Sequence, residues 1–262
     1  WMATPDNGVA AVLYSASSVH AKVGAGKGGV VVLSESTHYP FEETVGFTVD
    51  TVKAGGMLFP LYLRVPGWCA AASVRVNGKE LPAVPEAGTW VRVERKWLAG
   101  DKVELRLPMA FTTRTWEKNK NSESVNYGPL TLSLKITESY KIMDGRQAAQ
   151  GDSHWQAGAD ASQWPSYQIF PASLWNYGLV ANESFSVLHR PWPTDDFPWT
   201  VAASPIVVSA KGKLIPEWML DKNGLCGVVP QSPVMAKGPV EAIELVPMGA
   251  ARLRISSFPQ VQ

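Results

Sequence analysis

Gly24-Ala25-Gly26-Lys27-Gly28-Gly29 has the G-x-G-x-x-G spacing of a loop that cradles phosphate. That chemistry needs a strand before the loop and a helix after it, so that backbone N–H groups and a helix N-terminus face the anion. Here Val30-Val31-Val32-Leu33 follows, a strand-type run, and no Ser or Thr comes after Lys27. The spacing therefore predicts a hairpin turn. Glu42-Glu43 and Asp195-Asp196 are adjacent carboxylates. Neighbours in an extended segment point to opposite faces, so neither pair can share a proton or flank a glycosidic bond. His20, His38, His154 and His189 stand apart, without a nucleophile motif near them. Cys69 and Cys226 lack a second Cys or His at ligand spacing, which argues against zinc and predicts small buried hydrophobes. Asn182-Glu183-Ser184 has the form of a glycosylation sequon, meaningful only in a secreted eukaryotic protein. No catalytic residue and no metal site is predicted.

Binding chemistry is better represented. Between Trp164 and Trp199 the chain places Trp164, Tyr167, Phe170, Trp175, Tyr177, Phe185, Trp192, Phe197 and Trp199 among Pro171, Pro191, Pro193 and Pro198. Flat aromatic faces stack on the C–H faces of sugar rings, and they also fill cores and anchor interfaces. Trp116, beside Arg114 and Glu117, has the same two uses. The candidate carbohydrate-contacting residues are Trp116, Trp164, Trp192 and Trp199. Trp175-Asn176-Tyr177-Gly178-Leu179 is expected to be structural, with Gly178 at a turn or a close approach that a side chain would block.

These residues must be positioned by strands. Leu61, Leu63 and Val65 alternate with Tyr62, Arg64 and Pro66; Val74 and Val76 with Arg75 and Asn77; Val103, Leu105 and Leu107 with Glu104 and Arg106. A period of two is the mark of half-buried strands. Asn77-Gly78 supplies a tight hairpin, and Ala99-Gly100-Asp101 turns the chain again. Further runs at 10–14, 19–23, 30–33 and 45–49 give roughly nine strands at sandwich spacing up to Met109. Phe111 to Lys120 is polar and reads as a crossing into a second module. Gly145 to Asp160 reads as a surface loop, and Glu217-Trp218-Met219-Leu220 as a solvent-edge segment. The expected fold is all-β: two tandem antiparallel β-sandwich (jelly-roll-like) domains. They span 1–109 and 110–262, the second with a Trp/Pro-rich insertion at about 145–200.

The motif LRVPGWC, a strand ending in Val76-Asn77-Gly78, WVRVERKWLAGDKVELRLPM and Tyr127-Gly128-Pro129-Leu130 together resemble the β-rich region of the β-L-arabinofuranosidase family of glycoside hydrolases. Tyr39-Pro40-Phe41, Trp175-Asn176-Tyr177-Gly178-Leu179 and the run from Val246 to Ile255 fit the same pattern, in order along the chain. The resemblance implies chemistry on an (α/α)-barrel that precedes the β region, with a zinc-bound cysteine nucleophile and a glutamate acid/base. This sequence has no adjacent Cys pair, no Glu-x-Cys spacing and no run of amphipathic helices. The barrel and its zinc are therefore expected to lie outside these residues, leaving no cofactor here. The implied partners are the catalytic barrel of the same parent chain, a carbohydrate substrate and a second copy in a homodimer. A periplasmic or secreted location is the one the family suggests. A free-standing carbohydrate-binding module is the other reading left open.

Composition bounds the rest. With 45% hydrophobic and 18% charged residues, 262 residues can bury one large or two modest cores. Twenty Pro and 22 Gly favour short strands and turns over long helices. Lys+Arg 24 against Asp+Glu 23 leaves a formal charge of +1, without the basic excess of a nucleic-acid partner. No run approaches the ~18 consecutive apolar residues of a membrane span.

Overall fold

The computed structural model describes residues 1–82, 86–143, 160, 162–194 and 197–262. His154, Asp195-Asp196 and, apart from Asp160, the loop expected over 145–160 lie outside the described residues. The fold is all-β, and the chain divides into two compact units. One comprises Trp1–Thr112 with Tyr127–Leu130, the other Thr113–Asn126 with Thr131–Gln262.

The first unit contains β1 (Met2–Ala3), β2 (Val9–Ala11), β3 (Ser17–Val23), β4 (Gly29–Thr37), β5 (Thr44–Thr51), β6 (Met57–Arg64), β7 (Ser73–Val76), β8 (Lys79–Glu80), β9 (Trp90–Trp97) and β10 (Lys102–Arg106). They form a four-stranded sheet, β1-β2-β6-β9, and a six-stranded sheet, β3-β4-β5-β10-β7-β8. The period-two pattern puts Phe59, Leu61 and Leu63 of β6 into one core with Val31 and Leu33 of β4 and Val103 and Leu105 of β10. Each strand thus lends one face to a sandwich interior and leaves the other in water. Pairing is antiparallel except between β2 and β6, where Val9 lies beside Leu61 in parallel register.

Turn chemistry fixes the registers. Asn77 and Gly78, at φ 51° and 78°, close the two-residue hairpin between β7 and β8. The glycine-rich segment joins β3 to β4 as a hairpin, with Val23 opposite Gly29 and positive φ at Gly24, Gly26 and Gly28. A strand and not a helix follows it, so no helix N-terminus faces the loop.

The second unit contains most of β11 (Phe111–Trp116), β12 (Ser122–Tyr127) and β13 (Leu130–Leu134), and all of β14 (Glu138–Met143), β15 (Ser166–Pro171), β16 (Tyr177–Val180), β17 (Ser186–His189), β18 (Ile206–Leu214), β19 (Glu241–Pro247) and β20 (Gln260–Val261). Eight of them make one sheet ordered β11-β12-β13-β19-β18-β16-β20, with β17 on β18; β14 and β15 form a separate ribbon. Both faces of the sheet are covered around β18. Ile206 and Val208 are buried on one side, while Val207 packs with Val246 and Ala251 on the other. The segment expected as a polar crossing is mostly β11. Its side chains are almost all exposed because it is an edge strand, and a run of polar residues such as Thr113, Arg114 and Thr115 carries no periodic signal.

One inward position of the first unit is charged. Glu35 follows Val31 and Leu33 along β4 and is buried at 4% exposure. Its Oε1 accepts the Ser15 N–H at 2.8 Å, and its Oε2 has no hydrogen-bond partner among the described residues. Burial pushes its pKa up to about 7, against the pull of the Ser15 N–H. The folded chain therefore holds a proton that the unfolded chain, at about 4.3, releases. The associated stability is complete below about 4.3 and is lost as pH rises through about 7. Urea melts should show stability falling by on the order of 3 kcal/mol between these limits, and Glu35→Gln should remove that fall. A profile equally steep in the variant would contradict this account.

The hairpin reading of residues 24–28 has its own test. Replacing them with a two-residue Asn-Gly turn should preserve folding, and ATP or NAD should leave the melting temperature of the intact protein unchanged. A saturable rise with either nucleotide would restore the phosphate-loop reading.

Candidate functional site

A groove of about 1020 Å³ in the second unit opens beside the β11–β12 hairpin. On a strand, residues two apart share a face, so Arg114 and Trp116 of β11 stand side by side. The Arg114 guanidinium lies 3.8 Å from the centre of the Trp116 ring, a cation–π stack that fixes both side chains. The Trp116 indole N–H donates to Ser124 Oγ on β12 at 3.0 Å, which sets the tilt of the ring. After β11 a single 3₁₀ turn, Glu117–Asn119, leads into Lys120 and Asn121, both in the left-handed region at φ 60° and 52°.

The floor is a short polar chain. Asn119 donates its amide to Ser122 Oγ at 3.0 Å and to Ser257 Oγ at 3.2 Å, and the two serine hydroxyls are 2.6 Å apart. Thr131 donates to Asn126 Oδ1 at 2.8 Å. The opposite wall consists of Gly227 to Val229, Met248 and the run from Arg254 to Ser257. Arg254 donates from Nε to the Ala251 carbonyl at 2.7 Å, which holds its stem.

Trp218 is part of the same lining; its N–H donates to the Gly227 carbonyl at 3.0 Å and its ring meets Trp175 edge-on at 5.2 Å. Trp218 is 3% exposed. The solvent-edge expectation for residues 217–220 is therefore corrected at this residue. The isolated bridge between Leu220 and Cys226 folds residues 219–226 back and covers the indole, a contact that local sequence does not reveal. A smaller apolar cavity of about 420 Å³ lies nearby, lined among others by Ile136, Phe170, Trp175, Leu225 and Leu253.

The four Trp residues predicted to contact carbohydrate are dispersed. Trp116 lines the groove at 39% exposure. Trp164 is 73% exposed just ahead of β15, its backbone N–H donating to the Asp160 carbonyl. Trp192 is half-buried, and Trp199 is half-buried against Gly249, where an added Cβ would lie 2.8 Å from its ring. Sequence reasoning missed Asn119, Met248, Arg254 and Ser257, which reach the groove from segments more than a hundred residues apart. The usable local signal was the i, i+2 pair of Arg114 and Trp116.

Among the described residues no three His, Cys, Asp or Glu side chains converge as a metal site would require. Cys69 is buried as expected, whereas Cys226 is exposed, a correction that follows from its place in the outer turn bridged to Leu220. Both are free, and desolvation pushes both thiols up, away from the thiolate that a nucleophile or metal ligand needs. No helix among the described residues is long and apolar enough to cross a membrane.

Residues 8–109 match the family model described as β-L-arabinofuranosidase, GH127 middle domain. No curated protein matches the chain. Among solved structures, one described as a glycoside hydrolase superposes with TM-score 0.62 at 22% identity, covering 98% of this chain and 36% of its own. A GH127 β-L-arabinofuranosidase from Geobacillus stearothermophilus T6 gives 0.60 at 19%, covering 99% of this chain and 34% of its own. A GH127 β-arabinofuranosidase gives 0.62 at 17%, covering 98% and 35%. At these identities the likeness establishes the fold. This chain spans about a third of the length of those proteins.

The element from Trp175 to Leu179 behaves as a scaffold. Asn176 donates to the Ile215 carbonyl at 2.9 Å, and Tyr177 donates to Glu241 at 2.8 Å. A Cβ on Gly178 would fall 2.4 Å from Val261 and 2.9 Å from the Pro259 carbonyl. Gly178→Ala should therefore be severely destabilising. Trp175→Ala, at a half-buried ring, should cost on the order of 2 kcal/mol. Thermal melts of both variants check this; an unchanged melting temperature for Gly178→Ala would refute the close approach.

Proposed function

We propose that this chain is the non-catalytic C-terminal β-sandwich region of a glycoside hydrolase resembling the β-L-arabinofuranosidases. It supports an (α/α)-barrel of the same parent chain and presents a carbohydrate-contacting groove beside Trp116. The observation that carries this reading is the match of residues 8–109 to the GH127 middle domain, together with nearly complete coverage of this chain by proteins about three times as long. We assign the middle-domain role to residues 1–109 and the accessory role to 110–262.

The retaining hydrolysis and the zinc that the resemblance implies are assigned to the barrel, and no step of that chemistry to these residues. Two observations support an accessory role. The described residues bring no carboxylate into the groove beside Trp116. The β14–β15 ribbon carries exposed Tyr140, Ile142 and Tyr167, an apolar surface of the kind that packs against another domain or a second copy in a homodimer. The groove also favours a second reading, a free-standing carbohydrate-binding module. Glycan binding at Trp116 with no contribution to the stability of a barrel-bearing parent would select it.

The purified chain should release aryl alcohol from aryl β-L-arabinofuranosides only at the rate of buffer. Turnover that survives repurification and is lost on substituting a carboxylate of this chain would overturn the accessory reading.

A further inference from the structure

We propose that the groove beside Trp116 takes an acidic saccharide, a chain bearing uronate carboxylates. The proposal rests on the reading of this groove as carbohydrate-contacting and adds the charge class of the ligand. Among the described residues its lining includes two guanidinium groups, Arg114 and Arg254, and no Asp, Glu or Lys. Among the described residues neither arginine takes part in an ion pair, whereas Arg75, Arg92, Arg95 and Arg106 all do. The carboxylates nearest in sequence, Glu117 and Glu123, do not line the groove. Glu123 is occupied by Thr115 and Gln260.

Both arginines are pre-positioned. Arg114 lies over Trp116, so its N–H groups remain free to meet an anion at the edge of the stack. Arg254 is tethered through Nε to the Ala251 carbonyl, a bond that does not use its two terminal nitrogens. A planar guanidinium matches a carboxylate through two parallel N–H···O bonds, which a neutral hydroxyl cannot reciprocate.

The neutral polar groups argue the same way. A neutral sugar needs acceptors for its hydroxyl protons as well as donors. Asn119, Ser122 and Ser257 bond one another, and Asn126 Oδ1 already accepts from Thr131. Ser256 Oγ, without a partner among the described residues, can donate as well as accept, and no carboxylate of the described lining opposes an anion. Trp116 and Met248 supply apolar surface for a ring face. A volume of about 1020 Å³ lies at the upper end of small-ligand sites, which are about 300–1,000 Å³, so several sugar units fit where one would leave most of it empty.

Calorimetric titration of the whole chain with trigalacturonate and with neutral arabinotriose, at low and high salt, tests the proposal. Trigalacturonate should bind more tightly, weaken with salt, and lose about tenfold or more in affinity in both Arg114→Gln and Arg254→Gln. Lys102→Gln, in the other unit and outside the groove lining, should have no effect. Thermal melts of each variant separate lost binding from lost folding. The Trp116 indole N–H resonance of the unmodified protein should shift on adding trigalacturonate, whatever the variants do. Equal binding of the neutral trisaccharide would overturn the acidic preference and leave the carbohydrate reading standing. Saturation by neither sugar would overturn both, and acidic binding indifferent to both arginines would place the site elsewhere and refute this one.

Discussion

Where β9 turns into β10, the carboxylate of Asp101 is 8% exposed yet carries its charge. Burial alone would raise its pKa. The Leu98 N–H, the Asn77 side-chain amide and the Arg95 guanidinium outweigh that and hold it below the ordinary carboxylate range. Leu98 donates to Oδ2 at 2.9 Å and Asn77 to Oδ1 at 2.8 Å, while Asn77 Oδ1 in turn accepts the Lys102 N–H at 2.8 Å. The backbone on either side is tied to Val49, whose N–H donates to the Asp101 carbonyl and whose carbonyl accepts the Gly100 N–H. One side chain thus locks the β7–β8 turn to the β9–β10 turn, and its own backbone holds the end of β5. Because β10 lies between β5 and β7, this lock sets the register on both sides of the six-stranded sheet. A one-residue slip would turn Val103 and Leu105 out of the core, so the interior depends on that turn holding.

Charge is handled differently elsewhere in the same unit. Glu35 occupies an inward position with half of its carboxylate unpaired, and it meets the cost by taking up a proton. Asp101 stays ionised because donors surround it; Glu35 is pushed toward neutrality because they do not. The two residues respond to opposite ends of the pH range, acid for Asp101 and neutral for Glu35, for the same electrostatic reason.

In the second unit the groove owes its character to an edge. The side chains of β11 cover no neighbouring strand on its outer side, so they stay exposed and can face a ligand. The arginine–tryptophan stack gives that exposed strand a rigid feature. Rigidity matters because a flexible arginine would lose rotamer freedom on meeting a carboxylate, and a stacked one has already lost it.

The alternating strands of the first unit were legible from residues alone, because period-two burial is local and Asn-Gly turns demand specific backbone angles. Leu61, Val103 and Leu105 announce their faces by the polar residues on either side of them or one strand away. The glycine-rich hairpin was readable for the same reason, since the run after it could only be a strand. The edge strand β11, the burial of Trp218 and the groove were not. Trp218 looks like any Trp beside a charged residue until Leu220 and Cys226 fold over it, and Asn119 meets Ser257 only when the sheet brings residues 138 positions apart together. Composition could say that tryptophans were available to bind a sugar. Which one faces a groove, and that two arginines outside any ion pair among the described residues stand with it, was decided by long-range strand pairing, whose energy lies in contacts between distant segments and leaves no periodic trace in the chain.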